Sequence, residues 1–482
     1  MAKIGITSVG AYIPYYYLDR ALIAKAWGAR GAKGCRSIVN SDEDSLTMAA
    51  EAAIDCFKQV NRKRIKSLYF ASVSAPYAEK SHAALLSAVC NLDGGVFTAD
   101  VSCALRSGTT AMKAALNAAL ADPAGDHLVT ASDNRQADPK SNAEQMFGAA
   151  AAAVTVGGEN VIAEEMAFAS VANEINDTWR NAGETTVNFA EQRFAIDKGY
   201  MISMRQAVKD VLAKAGLSPD KVAKAVFATP GVREHGTVGA KSGFTPEQIQ
   251  DPLMMEVGDC GTAQPLLLLA KALETAAPGD VILLAAYGNG ADAFLFKVTE
   301  NIKNIQKAGT GTVTKYMNRR AEFTDYARFL SFGGHLMPVQ GEPYKIPAAP
   351  VISWRDQDVY LKLEASKCNK CGTIAFPPTR VCYTCRAKDD NTRESCIDHT
   401  ATLFSFSCDR LAGRSDDPLI IQALANDESG ARFYLNMTDF QEAELKIGMK
   451  LEYAFRKMHD LANFPNYYWK YRPVRKIGGD EK

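Results

Sequence analysis

Four cysteines carry the clearest chemistry in this chain. Cys368-x-x-Cys371 and Cys382-x-x-Cys385 stand ten residues apart, and Gly372 directly follows the second thiol. Each pair can present two thiolates from one tight knuckle, and two knuckles close a tetrahedral zinc site with no open position. Four thiolates leave no place for a substrate, so the metal is structural. The spacing predicts a zinc ribbon held by Cys368, Cys371, Cys382 and Cys385.

The elements around the ribbon differ on its two sides. Before it, short apolar strands alternate with alanine-rich helices, the pattern of a layered α/β fold. Residues 66–73, 127–132 and 150–157 read as strands, and residues 110–120 as a helix of strong helix formers. Pro278-Gly279-Asp280 is a turn into a buried strand at 281–287, followed by Gly288-Asn289-Gly290. Residues 301–314 are polar and punctuated by glycine, as in a linker. Residues 316–336 read as a charged amphipathic helix, and the proline-rich residues 343–350 open a second unit. After the ribbon, residues 401–408, 419–424, 432–437, 449–455 and 467–472 are short strands separated by turns. That succession predicts a small barrel of the oligonucleotide/oligosaccharide-binding (OB) type. The expected divisions are 299–345 for linker and helix, 346–390 for the ribbon and 391–482 for the barrel.

Composition narrows the function classes. At 482 residues the chain should hold two or three domains, and its 47% apolar content excludes a disordered protein. Lys+Arg and Asp+Glu both number 55, so no overall field attracts nucleic acid. The local run Arg62, Lys63, Arg64 and Lys66 reads as a solvated face. The N-terminus reads as a first strand without the apolar core of a signal peptide. No apolar run reaches the roughly 18 residues of a membrane span. Eleven cysteines, four of them assigned to zinc, fit a reducing cytoplasm better than a disulfide scaffold.

Specific words add a resemblance. Gly10-Ala-Tyr-Ile-Pro14, Asp42-Glu-Asp-Ser-Leu-Thr-Met48, Trp179-Arg180 with Arg193-Phe194, and Tyr287-Gly-Asn-Gly290 resemble the hydroxymethylglutaryl-CoA synthases of archaea and bacteria, in the thiolase superfamily. Residues 346–482 resemble the acyl-CoA-associated zinc-ribbon/OB-fold proteins that partner thiolases. Cys-x-x-Cys-Gly, Phe376-Pro-Pro378, Ser405-Phe406, Ile447-Gly448-Met449 and Arg472-Pro473 carry that match. The resemblance implies two α/β halves, at 1–165 and 166–298, stacked as a five-layer αβαβα body. It also implies a coenzyme A thioester as substrate, a homodimer formed through that body, and a cytoplasmic protein that engages neither membrane nor nucleic acid.

The same resemblance implies four catalytic groups. A cysteine thiolate at a helix N-terminus takes the acyl group, and an acidic residue moves the carbanion proton. A histidine and an asparagine hold the thioester oxyanion. In Asp100-Val-Ser-Cys-Ala-Leu-Arg-Ser-Gly108-Thr109 the family register puts the cysteine on Leu105, two residues past Cys103. Val73 takes the acidic position, with Glu79 a few residues on. Ala228 takes the histidine position in Phe227-Ala-Thr-Pro230, and His235 nearby reads as a surface-loop residue. Asp259 stands at the asparagine position. All four positions depart, so ordinary synthase chemistry is not expected.

Three catalytic candidates remain. Cys103 is a nucleophile if the turn is rebuilt, or else a small buried residue. Asp259 is a base, or a turn aspartate accepting backbone N–H bonds. Tyr287 is an acid or base at a strand end, or a packed phenol. Three functions follow. The chain is the synthase-like subunit of a carbon–carbon bond-forming or bond-cleaving complex, with a second thiolase-type subunit supplying the cysteine. Alternatively it is a nucleophile-free retro-aldolase acting on a β-hydroxyacyl-CoA, or a non-catalytic acyl-CoA-binding scaffold.

Overall fold

A computed structural model describes residues 3–309, 311–337, 349–461 and 464–475. Most of the proline-rich segment at 343–350 therefore lies outside the described residues. The chain divides into two units: Met1–Val39, Asp44–Ser87 and Leu92–Tyr326 form the first, and Asn40–Glu43, Ala88–Asn91 and Ala327–Lys482 the second.

A nine-stranded sheet runs through the first unit. Its strands are β1 (Gly5–Tyr12), β2 (Ile65–Ala71), β3 (Phe97–Val101), β4 (Asp126–Asn134), β5 (Ala149–Gly157), β6 (Ala163–Ala172), β7 (Lys224–Phe227), β8 (Val281–Tyr287) and β9 (Gly290–Val298). Their order is β7-β8-β9-β6-β1-β5-β4-β2-β3, so β3 is an edge strand. The two halves of this sheet join where β1 pairs with β6, at Gly5 with Glu164 and Ile6 with Ala163. Four helices supply the other layers: α1 (Ser45–Cys56), α2 (Ser107–Ala121), α3 (Met201–Ala215) and α4 (Gln264–Leu273). Helix α4 touches β5 and β1 of one half and β7 and β8 of the other, while α1 covers β1, β4 and β5, and α3 covers β6, β8 and β9. With α2 packed on α4, the result is the five-layer αβαβα arrangement.

The sequence forms these layers for local reasons. Strand β5 reads AAAAAVTVG with every residue buried, the continuous apolar run of a strand covered on both faces. Helix α1 starts with a capping box in which Asp44 and Thr47 exchange side-chain-to-backbone hydrogen bonds of 2.9 Å. Gly10 lets β1 approach that helix, because a Cβ there would sit 2.1 Å from the Ala52 carbonyl oxygen.

Two expectations need correction. The stretch 301–314 is not a free linker: Ile302–Ala308 is a helix with Ile302 and Ile305 buried, and Gly309 is its left-handed cap at φ 65°. Residues 316–336 do not form one helix. Helix Val313–Asn318 ends, Ala321–Glu322 adds a short parallel strand to Tyr16 and Tyr17, and Tyr326–Phe332 is helical again. The hydrogen bonds from Ala321 N to Tyr15 O and from Phe323 N to Tyr17 O, both 2.8 Å, replace the helical ones there.

In the second unit, Glu364–Cys368 is the centre of a three-stranded ribbon sheet between Ile374–Ala375 and Asn391–Ser395. The expected barrel follows as Thr400–Asp409, Ile420–Asp427, Arg432–Asn436, Lys450–Leu461 and Phe464–Pro473. A bridge between Met437 and Tyr471, with Thr438 N donating to Tyr471 O at 2.8 Å, brings the ends of that five-stranded sheet together. Phe433, Phe455, Trp469 and Tyr471 fill its interior.

One polar chain ties the barrel wall together. His399 Nδ1 lies 2.9 Å from Asp427 Oδ1, and Tyr453 Oη donates to Asp427 Oδ2 at 2.8 Å. The bond to Asp427, reinforced by Cys396, pushes the His399 imidazole up from 6.5 to about 10. A group whose pKa is raised by folding stabilises fully below its unfolded value and loses that contribution as pH rises through its folded one. Wild-type stability should therefore fall between pH 6.5 and about 10 more steeply than that of His399→Gln, in urea unfolding at stepped pH.

Candidate active site and zinc centre

The zinc centre is assembled from neighbouring residues. In the first knuckle, Gly372 takes φ 75° and its N–H donates to Cys368 O at 2.8 Å. In the second, Arg386 takes φ 61° and donates to Cys382 O at 3.0 Å. These turns bring Cys368 and Cys385 Sγ to 3.6 Å, and Cys371 and Cys382 Sγ to 3.6 Å. All four sulfurs lie within 4.8 Å of one another. Zn–S bonds of about 2.3 Å in a tetrahedron require sulfurs roughly 3.8 Å apart, so the donor set fits zinc.

The first unit holds a cavity of about 360 Å³. Leu105, Ala228, Asp259 and Tyr287, far apart in sequence, all line it. Leu105 lies on the elbow between β3 and α2, Ala228 directly follows β7, and Tyr287 ends β8. Gly288 brings the end of β8 against the elbow, for a Cβ there would sit 2.6 Å from Arg106 N. Arg106 Nη1 reaches Asp292 Oδ1 at 3.1 Å, and Thr109 Oγ1 donates to Asp292 Oδ2 at 2.9 Å, which fixes the first turn of α2 on β9.

Two polar pairs face the cavity. Tyr287 Oη donates to Asp177 Oδ2 at 2.6 Å. Burial, reinforced by that carboxylate, pushes the phenol well above its usual range, so it stays protonated. Its ring meets Tyr200 edge-on at 5.6 Å. Arg135 Nη1 donates to Asp259 Oδ2 at 2.9 Å, and its guanidinium lies 4.2 Å from the Phe147 ring centre. Asp259 Oδ1 accepts the Gly261 N–H at 2.9 Å, so this residue is also a turn aspartate.

Other candidates fall elsewhere. Cys103 is exposed rather than buried, takes φ 77°, and is not among the lining residues. Val73 does not line the cavity either: its N–H donates to Asp133 at 2.8 Å and its carbonyl accepts from Arg180 at 2.8 Å. Glu79 is exposed. His235 is no surface-loop residue: it lies in the helix Val232–Lys241, 5% exposed, and burial lowers its imidazole to about 4. Cys260 is core. Sequence reasoning missed Asp177, Arg135 and Asp133. The last two sit at the C-terminal end of β4, where polar residues following a buried strand signal a site.

Fold and site together define a thiolase-type condensing-enzyme body joined to a zinc ribbon and barrel. Residues 361–390 match the family model described as ChsH2, rubredoxin-like zinc ribbon domain. The hydroxymethylglutaryl-CoA synthase of Pyrobaculum aerophilum is 31% identical over 342 residues, covering 68% of this chain and 97% of that protein. The chain belongs to the hydroxymethylglutaryl-CoA synthase family, with a structural zinc ribbon added. A solved structure of MvaS in complex with 3-hydroxy-3-methylglutaryl coenzyme A superimposes at TM-score 0.62 and 18% identity, covering 72% of this chain and 95% of that one. The 3-oxoacyl-[acyl-carrier-protein] synthase III of Aquifex aeolicus VF5 superimposes at 0.55 and 20% identity, covering 61% and 99%. Among the described residues, no helix is long and apolar enough to cross a membrane.

Two predictions follow from this geometry. Metal analysis should find one ribbon zinc per chain, lost in Cys382→Ser, with a lower calorimetric transition for the second unit alone. Gly199→Ala should also destabilise, although alanine is the better helix former by about 1 kcal/mol. Its Cβ would sit 2.2 Å from Tyr287 Oη and force the phenol off Asp177. A melting temperature at or above wild type would contradict that steric reading.

Proposed function

We propose that this protein makes or breaks a carbon–carbon bond in a coenzyme A thioester without a cysteine nucleophile, by aldol chemistry on a β-hydroxyacyl-CoA. The observation that carries the reading is the Tyr287–Asp177 pair opening on the cavity that Leu105 lines. Among the described residues, no thiol lines that cavity. Retro-aldol cleavage needs only a proton acceptor for the hydroxyl and a site for the enolate. In this mechanism the β-hydroxyl gives its proton to Tyr287 Oη while the phenolic proton passes to Asp177. The hydroxyl oxygen becomes a carbonyl, the Cα–Cβ electron pair goes to the thioester as its enolate, and the returning proton quenches that enolate. The N-terminus of α2, beside Leu105, favours the negative charge.

The test is product analysis with the purified full chain. Tyr287→Phe and Asp177→Asn should slow cleavage by roughly 10²–10⁴-fold, the usual contribution of acid–base catalysis. Cys103→Ala should cleave at the wild-type rate. Absence of cleavage by the wild-type chain, or its loss in Cys103→Ala, would sink the proposal.

The missing cavity thiol also favours a second reading, in which a second thiolase-type subunit supplies the cysteine. Among the described residues β3 is the edge of the sheet, and its Phe97 is 60% exposed, which supports assembly through the α/β body, with a second copy or with that subunit. Native mass spectrometry of protein isolated at its natural level separates the readings: a co-purifying thiolase-type chain supports the complex, and a lone homodimer the aldol enzyme.

A further inference from the structure

We infer that the cavity selects an acyl group ending in a bulky, uncharged apolar moiety, branched alkyl or aryl, and rejects one ending in a carboxylate. This deepens the proposed function, because it rests on that cavity as the acyl site. Three observations carry it: the lining, the charge balance and the volume.

The lining is dominated by hydrocarbon. Leu105, Phe147, Phe189, Ile196, Ala228 and Pro230 supply it, together with a few other apolar residues. Leu105 and Ala228 stand where the family resemblance places a thiol and an imidazole, so two polar groups that would face the acyl carbon are hydrocarbon here. Ala228 is also far smaller than histidine, which leaves volume beside it. Phe147 and Phe189 lie 6.0 Å apart at 42° and form an aromatic wall. Apolar surface of this kind rewards burial of an apolar ligand group by roughly 25 cal/mol per Å².

The charge balance excludes a second carboxylate. Among the described lining residues, Arg135 is the one cation, and no lysine or histidine joins it. It is already matched by Asp259 at 2.9 Å, is packed on Phe147, and its side chain is only 4% exposed. Asp177 and Asp259 leave the lining one negative charge in excess. A carboxylate entering here would lose its hydration without gaining a cation, a costly transfer. A cavity of about 360 Å³ also exceeds what an acetyl-sized group fills.

Equilibrium binding tests the inference separately from catalysis. Non-cleavable thioether analogues of 3-hydroxy-3-phenylpropionyl-CoA, a branched 3-hydroxyacyl-CoA and a 3-hydroxyglutaryl-CoA are titrated into the full chain by calorimetry. The aryl and branched analogues should bind at least tenfold more tightly than the carboxylate-ended one. Asp259→Asn, which leaves Arg135 uncompensated, should narrow that ratio at least threefold by strengthening carboxylate binding. Phe189→Ala, at a half-exposed position less prone to misfolding, should weaken aryl binding alone. Equal or tighter binding of the carboxylate analogue, or no binding of any analogue at millimolar concentration, would overturn the inference. Selective binding without cleavage would leave it standing while rejecting the aldol reaction.

Discussion

The site depends on one buried carboxylate. Asp133, fully buried at the end of β4, accepts hydrogen bonds from six donors. Its Oδ1 accepts from Ser72 Oγ, Val73 N, Ser74 N and Ser74 Oγ at 2.7–3.0 Å. Its Oδ2 accepts from Thr262 N at 2.7 Å and Thr262 Oγ1 at 2.8 Å. Hydrogen bonds to a charged group contribute roughly 1.5–3 kcal/mol each, and their loss would strand six donors away from water. Two loops, the one after β2 and the one before α4, are thus locked to a single side chain at the end of β4. The lock leaves little room: Gly261 takes φ 57°, and a Cβ there would sit 2.4 Å from Asp133 Oδ2. Two residues further along the chain, Arg135 reaches Asp259 in the same loop.

This framework explains how the chemistry can change while the architecture stays. The elbow carrying Leu105 is held by backbone and by Arg106, Thr109 and Asp292, none of which requires a thiol at position 105. The turn carrying Asp259 is held by Gly261 and Arg135, and the end of β7 by the hydrogen bond from Ala228 N to Ala285 O at 3.0 Å. Positions 105 and 228 are therefore replaceable at little structural cost, whereas the residues behind them are not. Superposition on condensing enzymes at only 18–20% identity fits this division.

Legibility in the sequence followed the range of the interaction. The zinc ribbon was readable because its ligands lie within eighteen residues and each knuckle is a local turn. The barrel strands and β8 were readable because their apolar runs end at turn residues. The segment 301–336 was misread because its helices are short and buried at only a few positions, and because Ala321–Glu322 pairs with a strand some three hundred residues earlier. His235 looked exposed from its neighbours, the charged Glu234 and the turn-forming Gly236, yet the helix turns it inward onto Phe227, at 6.1 Å between ring centres. Tyr287 was identifiable as a strand-end phenol. Its partner Asp177, 110 residues away, was not, since no local pattern marks a hydrogen bond made by tertiary packing.

The apolar lining and the Tyr287–Asp177 pair depend on each other. Hydrocarbon at Leu105 and Ala228 lowers the local dielectric, and hydrogen bonds to charge strengthen as water is excluded. Tyr287 then keeps its proton and Asp177 keeps a strong donor, so the pair is ordered before any ligand arrives. Gly199 is needed for the same reason, because only a residue without Cβ leaves the phenol in line with the carboxylate. The cost of this arrangement is an unfavourable setting for any further charge, which Arg135 and Asp259 avoid by neutralising each other. A ligand that brings apolar bulk and a neutral hydroxyl adds no ion to that setting.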